Sequence, residues 1–334
     1  MRWPLVPLLL LLLAACGSEE KEPVSRSWSW EAPKGTHATS VALLQNGDVF
    51  VGLAGEDGAQ VVFLAQSGEE LATVDLGDLC DGCGEIVPTK PLVVGDYAMF
   101  GGETPGRGPL LRAEPARHRV RHMPIENPLG LDTGDMLFDG RASAPFGTNQ
   151  LLVPGGALVQ ISVEGIASAT HPTGAVRAVA HAGADLFAIL TADGGVATWR
   201  PSDNAIEPRN ATAIRLAGAA PLTVAAVVEK DGAVRLRRFE EPLEPFGPTF
   251  AHAVELAVAP GAGRVAVGVR DDALVATEAP GEAPAPRSVL VLDRSGKAVG
   301  RAQAPAPIVG IDVSGDGELV LVAHEAGVTA LLVE

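Results

Sequence analysis

The sequence predicts an all-β protein, and three observations support this prediction. First, 39 glycines and 26 prolines interrupt short Val, Leu and Ala runs along the 334 residues, which favours short strands and turns over a helical bundle. Second, an apolar run, a turn with Gly or Asp, and another apolar run recur along the chain. Third, 47% of the residues are hydrophobic, enough for a substantial core. Such units must stack to cover both faces, so we expect a β-propeller.

The N-terminus has the three parts of an export signal. Arg2 precedes the apolar run Leu5–Leu13, which is too short to cross a bilayer, since a crossing helix needs about 20 residues. Leu13-Ala14-Ala15-Cys16 then resembles a bacterial lipobox. The resemblance implies that residues 1–15 are a lipoprotein signal peptide, and that Cys16 carries acyl chains such as palmitate. Ordinary secretion with cleavage near Ala15 is the alternative.

The residues after Cys16 suggest where the anchor lies. Position 17 is Gly rather than the Asp typical of inner-membrane retention, so the lipobox resemblance implies the outer membrane of the cell envelope. Residues 16–24 are the lipidated cysteine and a polar tether. Because 25 Lys and Arg face 41 Asp and Glu, the net charge is −16. This charge predicts membrane contact through the lipid anchor only, and no nucleic-acid binding.

Two hairpin patterns alternate along residues 25–334, the expected propeller domain. Asn-Gly and Asp-Gly turns supply the positive φ that tight hairpins need. The first pattern occurs at Val41–Val51, Leu92–Phe100, Val179–Ile189, Leu256–Gly268 and Ile311–Leu321. The second occurs at Val61–Leu71 and Val289–Val299, with weaker forms at Leu158–Ile166 and Val196–Ile206.

Each pair of hairpins predicts one four-stranded blade. We place the innermost strands near Thr39, Val87, Phe138, Val176, Thr212, Val254 and Ile308. This spacing predicts seven blades, with six or eight as alternatives.

The two chain ends predict how the ring closes. The final unit has three strands, Ile308–Ser314, Glu318–Ala323 and Val328–Glu334, and lacks a fourth. In Ser25–Ala32, Trp28 and Trp30 alternate with serines, which puts both indoles on one face of a strand. We expect this N-terminal strand to complete the last blade and cover its edge. The alternative is that the tryptophans are membrane-proximal aromatics of the tether. Over residues 25–334 the chain resembles bacterial lipoproteins with WD40-like or quinoprotein-like propellers.

Cys80 and Cys83 are the cysteines besides Cys16. In an exported chain they predict a local disulfide. A redox-active Cys-x-x-Cys and unpaired or metal-bound thiols are the alternatives.

The run Arg117–His122 is the one dense basic segment of the sequence. As a strand it puts Arg117, Arg119 and Arg121 on one face, while His118 and His122 lie about 13 Å apart, too far to share a metal. We expect a charged outer strand that prevents edge-to-edge pairing. Binding of an anionic partner is the alternative.

Acidic residues collect in two connecting segments, which contain Asp78, Asp81, Glu85, Asp132, Asp135 and Asp139. Neither segment has the alternating spacing of a preformed Ca²⁺ loop. Asp312–Gly317 comes nearest to that spacing, but it stands where a hairpin turn is expected. Turn formation and solvation are therefore expected, with Ca²⁺ binding as the alternative. No nucleotide, zinc-protease or serine-hydrolase motif is present, so neither a cofactor nor a catalytic residue is predicted.

Three long connections are expected on one face of the ring: Gly77–Pro88, Met123–Gly140 and Val269–Arg287, the last containing Arg270, Asp271 and Asp272. Long loops on a rigid scaffold commonly carry binding sites. We therefore expect a non-enzymatic binding or scaffold module for a protein or envelope partner. The first alternative is a hydrolase or lyase that acts on an extracellular substrate at the central channel. A sensor of a small ligand or metal is the other.

Overall fold

The computed structural model describes residues 24–103, 109–133, 136, 138–229, 233–240, 242–250, 253–269 and 286–334. Within these ranges the regular structure consists of β-strands and two short 3₁₀ turns, Cys83–Glu85 and Pro115–Arg117. None of the described segments is a helix with the length and apolar character needed to cross a membrane.

The strands of the first half of the chain are short, because Gly, Pro and Asp turns break the apolar runs. They are β1 (Val24–Glu31), β2 (Thr36–Leu43), β3 (Val49–Gly55), β4 (Gly58–Leu64), β5 (Glu70–Asp75), β6 (Val87–Pro88), β7 (Leu92–Val94), β8 (Tyr97–Phe100), β9 (Gly102–Glu103), β10 (Leu110–Glu114), β11 (Arg119–Met123), β12 (Ala144–Pro145), β13 (Gln150–Val153), β14 (Leu158–Ser162) and β15 (Ala167–His171).

The strands of the second half include one long member, β19. They are β16 (Val176–Gly183), β17 (Leu186–Thr191), β18 (Gly195–Arg200), β19 (Ala205–Ala219), β20 (Leu222–Val228), β21 (Val234–Arg238), β22 (Glu244–Phe250), β23 (Ala253–Ala259), β24 (Arg264–Val269), β25 (Ser288–Leu292), β26 (Ala298–Gln303), β27 (Ile308–Val313), β28 (Leu319–His324) and β29 (Gly327–Val333).

Most of these strands form four-stranded antiparallel meanders. Four sheets follow chain order: β2 to β5, β7-β8-β10-β11, β12 to β15, and β23 to β26. Strands β16 to β22 form a seven-stranded sheet in which β19 pairs with β18 through its first half and with β20 through its second. The last sheet has the order β1-β29-β28-β27, and β6 pairs with β9 in a small separate sheet.

The first strand of each sheet, together with β19 of the seven-stranded sheet, lines the ring. Strand β2 contacts β27, β27 contacts β23, β23 contacts β19, β19 contacts β16, and β12 contacts both β16 and β7. Antiparallel pairing then assigns the connections to two ends of the ring. We call the end that carries the connections between sheets, such as residues 76–91 and 304–307, the loop face. The opposite end carries the first-to-second and third-to-fourth turns, such as residues 44–48 and 115–118, and is called the turn face.

The N-terminal strand completes the last sheet, which confirms the predicted closure. Strand β1 runs antiparallel to β29, with Ser29 opposite Thr329 and Trp30 opposite Val328. Trp28 and Trp30 pack on the apolar cluster between this sheet and the β2–β5 sheet. The Trp28 indole N–H also donates to the Gln66 carbonyl at 2.7 Å. Residues from the two ends of the described chain thus share one sheet.

The turn between the third and fourth strands of a sheet packs against the preceding sheet. Gly68 in the Ser-Gly turn has φ +87°, and a Cβ at this position would lie 2.7 Å from the Trp28 ring. Gly296 in the equivalent turn of the β23–β26 sheet has φ +82° and lies against the backbone of Gly247 in β22. The second sequence pattern therefore marks the turns by which neighbouring sheets interlock.

Two predicted inner strands lie elsewhere. Val87 belongs to the small β6–β9 sheet, and the inner strand of its unit is β7, which begins after Pro91 because Pro88 and Pro91 lack the N–H that a ladder needs. Phe138 precedes a turn rather than a strand, because the Asp139 carbonyl accepts the N–H groups of Ala142 and Ser143. The number of blades stays a prediction, because β19 joins two groups of strands in one sheet.

Candidate functional site

The interior of the ring holds charged side chains that come from distant sheets. Lys90, Asp139 and Arg141 precede the inner strands β7 and β12, whereas Glu255 lies in β23 and Asp312 in β27. Glu255 and Asp312 each interrupt an otherwise apolar strand. A buried charge must be paired to be tolerated, so these residues define where the sheets meet.

Arg141 links two carboxylates inside the ring. Its Nε lies 2.9 Å from Oδ2 of Asp139, and its Nη1 lies 3.2 Å from Oε1 of Glu255 across the ring. Glu255 is 6% exposed and Asp139 is 8% exposed. Burial raises the pKa of Glu255, while the positive charges of Arg141, Arg215 and Lys90 oppose that rise.

Lys90 forms a second link between sheets. Its ammonium donates to Oδ1 of Asp312 at 2.7 Å and to the Ile311 carbonyl at 2.8 Å. The other oxygen of Asp312 accepts the backbone N–H of Leu43 at 2.8 Å. The surrounding cavity is about 420 Å³ and is lined mainly by small apolar residues from the inner strands.

Carboxylates from three sheet regions do converge on the channel, as a hydrolase would require. However, Asp139 and Glu255 are bound to Arg141, and Asp312 is bound to Lys90. Among the described residues, no group of three His, Cys, Asp or Glu side chains is arranged to hold a metal ion. This arrangement favours a role for the channel charges in fixing sheet positions.

The connection from β5 to β6 carries the predicted cysteine pair on the loop face. Cys80 and Cys83 form a disulfide, with their Cα atoms 5.2 Å apart. Asp78, Asp81 and Glu85 are exposed around it. Nothing in the described part of the chain forms an ion pair with these three carboxylates. The connection therefore presents unpaired negative charge on a covalently closed loop.

A cleft adjoins this connection where the β2–β5 sheet meets its neighbour. It has a volume of about 400 Å³, and His37, Glu56, Glu85 and Val87 are among its lining residues. Glu56 is exposed in the turn from β3 to β4, and Val87 is 39% exposed. The cleft therefore combines an apolar side chain with one carboxylate from the β3–β4 turn and one from the connection between sheets.

The second long connection divides the predicted acidic residues. Asp132 is exposed, whereas Asp139 points into the ring and is bound to Arg141. The same connection exposes two apolar side chains, Ile125 and Leu129, the latter to 65%. Four of the predicted acidic residues are thus exposed on connections between sheets: Asp78, Asp81, Glu85 and Asp132. Asp139 differs from them because it is buried inside the ring.

Several predicted positions lie outside the described residues: Cys16, Asp135, Arg270, Asp271 and Asp272. The Asp312–Gly317 segment forms the expected β27–β28 turn, in which Asp316 accepts the Ser314 hydroxyl and the Glu318 N–H. Asp312 itself lies before the turn and binds Lys90.

Sequence reasoning missed Lys90, Arg141 and Glu255. A local signal exists for Glu255, because it is the one charged residue in the strand Ala253–Ala259. A lone charge in a strand that is apolar on both sides predicts a buried pair. Which residue supplies the partner has no local signal, since Arg141 lies 114 positions away.

Comparison with solved structures shows a WD40-like β-propeller fold. The WD40 domain of Pan2 from Neurospora crassa is similar with a TM-score of 0.63 and 14% identity, over 93% of this chain and 95% of that chain. PorZ, a surface component of the type-IX secretion system of Porphyromonas gingivalis, is similar with a TM-score of 0.62 and 14% identity. That match covers 93% of this chain and 38% of PorZ. No family model and no curated protein matches the sequence.

Proposed function

We propose that this propeller is a non-enzymatic binding module of the bacterial cell envelope, attached to the outer membrane through a lipid on Cys16. Its loop face binds a protein partner with a basic surface. The observation that carries the proposal is the exposed, disulfide-closed connection with Asp78, Asp81 and Glu85, none of which has an ion-pair partner among the described residues.

Charge complementarity supports the nature of the partner. Exposed charges that are not paired within their own chain can steer and orient a protein of opposite charge. The neighbouring cleft offers Val87 as an apolar contact beside Glu56 and Glu85. Interfaces typically combine such an apolar centre with a polar rim. PorZ, which shares the fold, is itself a bacterial surface component.

The channel provides the main competing function, a hydrolase or lyase. Glu255 favours this alternative, since burial raises its pKa as expected for a general acid. Its salt bridge with Arg141 favours a structural role. Replacement Glu255→Gln should leave partner binding intact in the module we propose.

The binding test uses a photo-crosslinking amino acid at position 81 in cells, with position 185 on the turn face as the matched site. In chains that carry the probe, variant Asp78→Asn/Glu85→Gln removes two further negative charges from the loop face. Variant Asp96→Asn/Glu164→Gln removes two exposed negative charges from the turn face. We expect one protein to crosslink from position 81 but not 185, and to be lost only in the loop-face variant. Equal capture by both variants would contradict the proposal.

The anchor is tested separately. Mass spectrometry of the mature protein should show acyl chains on Cys16, and Cys16→Ser should release the protein from the membrane fraction. Unmodified Cys16 in a membrane-free wild-type protein would refute the anchor and leave the crosslinking result unaffected.

A further inference from the structure

Strands β10 and β11 carry a group of arginines around one buried carboxylate, and we call this group the arginine cluster. Glu114 Oε1 lies 3.0 Å from Nε of Arg121 and 3.2 Å from Nη2 of Arg112, and its Oε2 lies 3.6 Å from Nη1 of Arg117. Arg119 is the cross-strand partner of Glu114. Four arginines therefore surround a single glutamate.

The predicted strand Arg117–His122 begins later in the structure, and this difference creates the cluster. Pro115–Arg117 forms a 3₁₀ turn and His118 takes a left-handed conformation with φ 47°. The His118 ring lies 2.9 Å from Oδ2 of Asp48. The turn brings Arg117 to the same carboxylate that Arg121 binds, instead of aligning it with Arg119 and Arg121 on a straight strand.

The charge of the cluster is unbalanced. Four arginines and one glutamate leave an excess of three positive charges in a chain with net charge −16. No described residue forms an ion pair with Arg119. The Nε of Arg112 is buried without a hydrogen-bond partner in the described structure. Each guanidinium has five donors, so Glu114 cannot satisfy the set.

Protection of a sheet edge does not explain this arrangement. Strand β11 is indeed the outermost strand of its sheet, as predicted, and exposed charges on it discourage edge pairing. However, Arg112 and Arg121 lie directly opposite each other, and like charges in that position are destabilising. Arg112 lies on β10, inside the edge, where it cannot protect β11.

Arg112 is also held in place before any ligand arrives. Its guanidinium carbon lies 4.4 Å from the centre of the Tyr97 ring, and Nη1 donates to the Val163 carbonyl at 3.2 Å. A stacked guanidinium loses little conformational freedom when it binds an anion. We propose that the arginine cluster binds a phosphate group, which accepts paired hydrogen bonds from arginines.

The position of the cluster decides which phosphates can reach it. Strands β1 and β11 are both outermost in their sheets, so both begin at the turn face. Seven residues separate Cys16 from Val24, and a segment of that length spans at most about 25 Å. If Cys16 is lipidated, which is part of the proposed function, the lipid headgroups lie toward the turn face, the end of the ring at which β11 begins. A soluble phosphate is the other source of the same chemistry.

The first test measures inorganic phosphate binding by NMR of the arginine Nε–Hε groups, at constant ionic strength. Variant Arg117→Gln/Arg119→Gln removes two exposed arginines and keeps the partly buried Arg112. Variant Arg177→Gln/Arg287→Gln is the control, because it removes two exposed arginines outside the cluster. We expect saturable phosphate binding, with an affinity about tenfold weaker in the first variant and unchanged in the control. The reason is that the first variant loses the charged hydrogen bonds from Arg117 and Arg119 to the phosphate.

The second test compares the full chain on phosphatidylcholine vesicles and on vesicles that also contain phosphatidylglycerol. Neutral vesicles report the lipid anchor, and Cys16→Ser abolishes that binding if the proposed function is correct. The increment caused by phosphatidylglycerol reports the cluster. If the ligand is a lipid headgroup, Arg117→Gln/Arg119→Gln should lose the extra vesicle binding caused by phosphatidylglycerol, and the control variant should keep it. If the protein binds inorganic phosphate but phosphatidylglycerol adds no vesicle binding, the ligand is a soluble phosphate.

Glu114→Gln separates binding from structure. Loss of this carboxylate adds positive charge, so phosphate should bind the variant more tightly and raise its melting temperature more than that of the wild type. The proposal is overturned if neither phosphate source distinguishes the cluster variant from its control. It is equally overturned if phosphate leaves the Glu114→Gln melting temperature unchanged relative to chloride.

Discussion

Replacing Arg141 by methionine tests how strongly the charges inside the ring hold the sheets together. The substitution leaves Asp139 and Glu255 buried without the guanidinium that lies 2.9 Å and 3.2 Å from their oxygens. Removing one partner of a buried pair costs about 3–5 kcal/mol. Since Asp139 keeps the N–H of residue 141 as a donor, we expect a loss of about 3 kcal/mol.

The loss should depend on pH because of Glu255. Burial raises its pKa above the ordinary value of 4.5, against the opposing charge of Arg141. The folded protein therefore binds this proton more tightly than the unfolded chain. The favourable contribution is complete below pH 4.5 and is lost as pH rises through the folded pKa. Without Arg141 that pKa rises further, so the deficit of Arg141→Met grows from acidic to neutral pH.

Urea unfolding provides the assay. Midpoints for the wild type, Arg141→Met and the exposed control Arg177→Met are compared at about pH 5 and about pH 8. The control should stay within about 0.5 kcal/mol of the wild type, and adding Glu255→Gln to Arg141→Met should restore part of the loss. A deficit below about 1 kcal/mol, or one equal at both pH values, refutes the reasoning.

Two further outcomes follow from other parts of the ring. Burial lowers the pKa of His324 below 6.5. The unfolded chain therefore takes up this proton at a higher pH than the folded protein, and the free energy of unfolding falls as pH drops below 6.5. His324→Gln should make the urea midpoint less dependent on pH in this range. An equal pH dependence of the urea midpoint in the wild type and in His324→Gln would contradict this role of His324. Gly68→Ala strains the backbone and also places a methyl group against the Trp28 ring. Gly47→Ala strains the backbone only, because position 47 has φ +89° and no atom lies closer than 4.0 Å to the added methyl group. Thermal unfolding should show a loss of about 1 kcal/mol for Gly47→Ala and about 2–3 kcal/mol for Gly68→Ala, and equal losses would contradict the interlocking of sheets at this turn.

The repeated meanders and the closing strand could be predicted because their signals are local. Ser-Gly turns at Gly68 and Gly296 require positive φ, and the sequence shows this directly. The alternation of Trp28 and Trp30 likewise identifies a strand with one apolar face. Such features depend on residues a few positions apart, and tertiary contacts reinforce them.

The misplaced inner strands and the channel pairs depend on distant contacts. The Thr89 hydroxyl donates to the Phe138 carbonyl, which fixes two segments that the apolar pattern alone assigns to strands. Arg141 and Glu255 meet only because the ring brings their sheets to opposite sides of the channel. The arginine cluster similarly needed the turn at His118, a non-glycine residue in a left-handed conformation.

The closed ring is tested most directly by a disulfide between its two ends. Ser29 and Thr329 are directly opposite, with hydroxyl oxygens 3.5 Å apart. We expect Ser29→Cys/Thr329→Cys to crosslink nearly completely under mild oxidation, as mass spectrometry of the digested protein would show. Ser25→Cys/Thr329→Cys should not crosslink, since Ser25 pairs with Leu332 and lies too far from position 329 for a disulfide. Equal crosslinking of the two pairs, or none in the first, contradicts closure by the N-terminal strand.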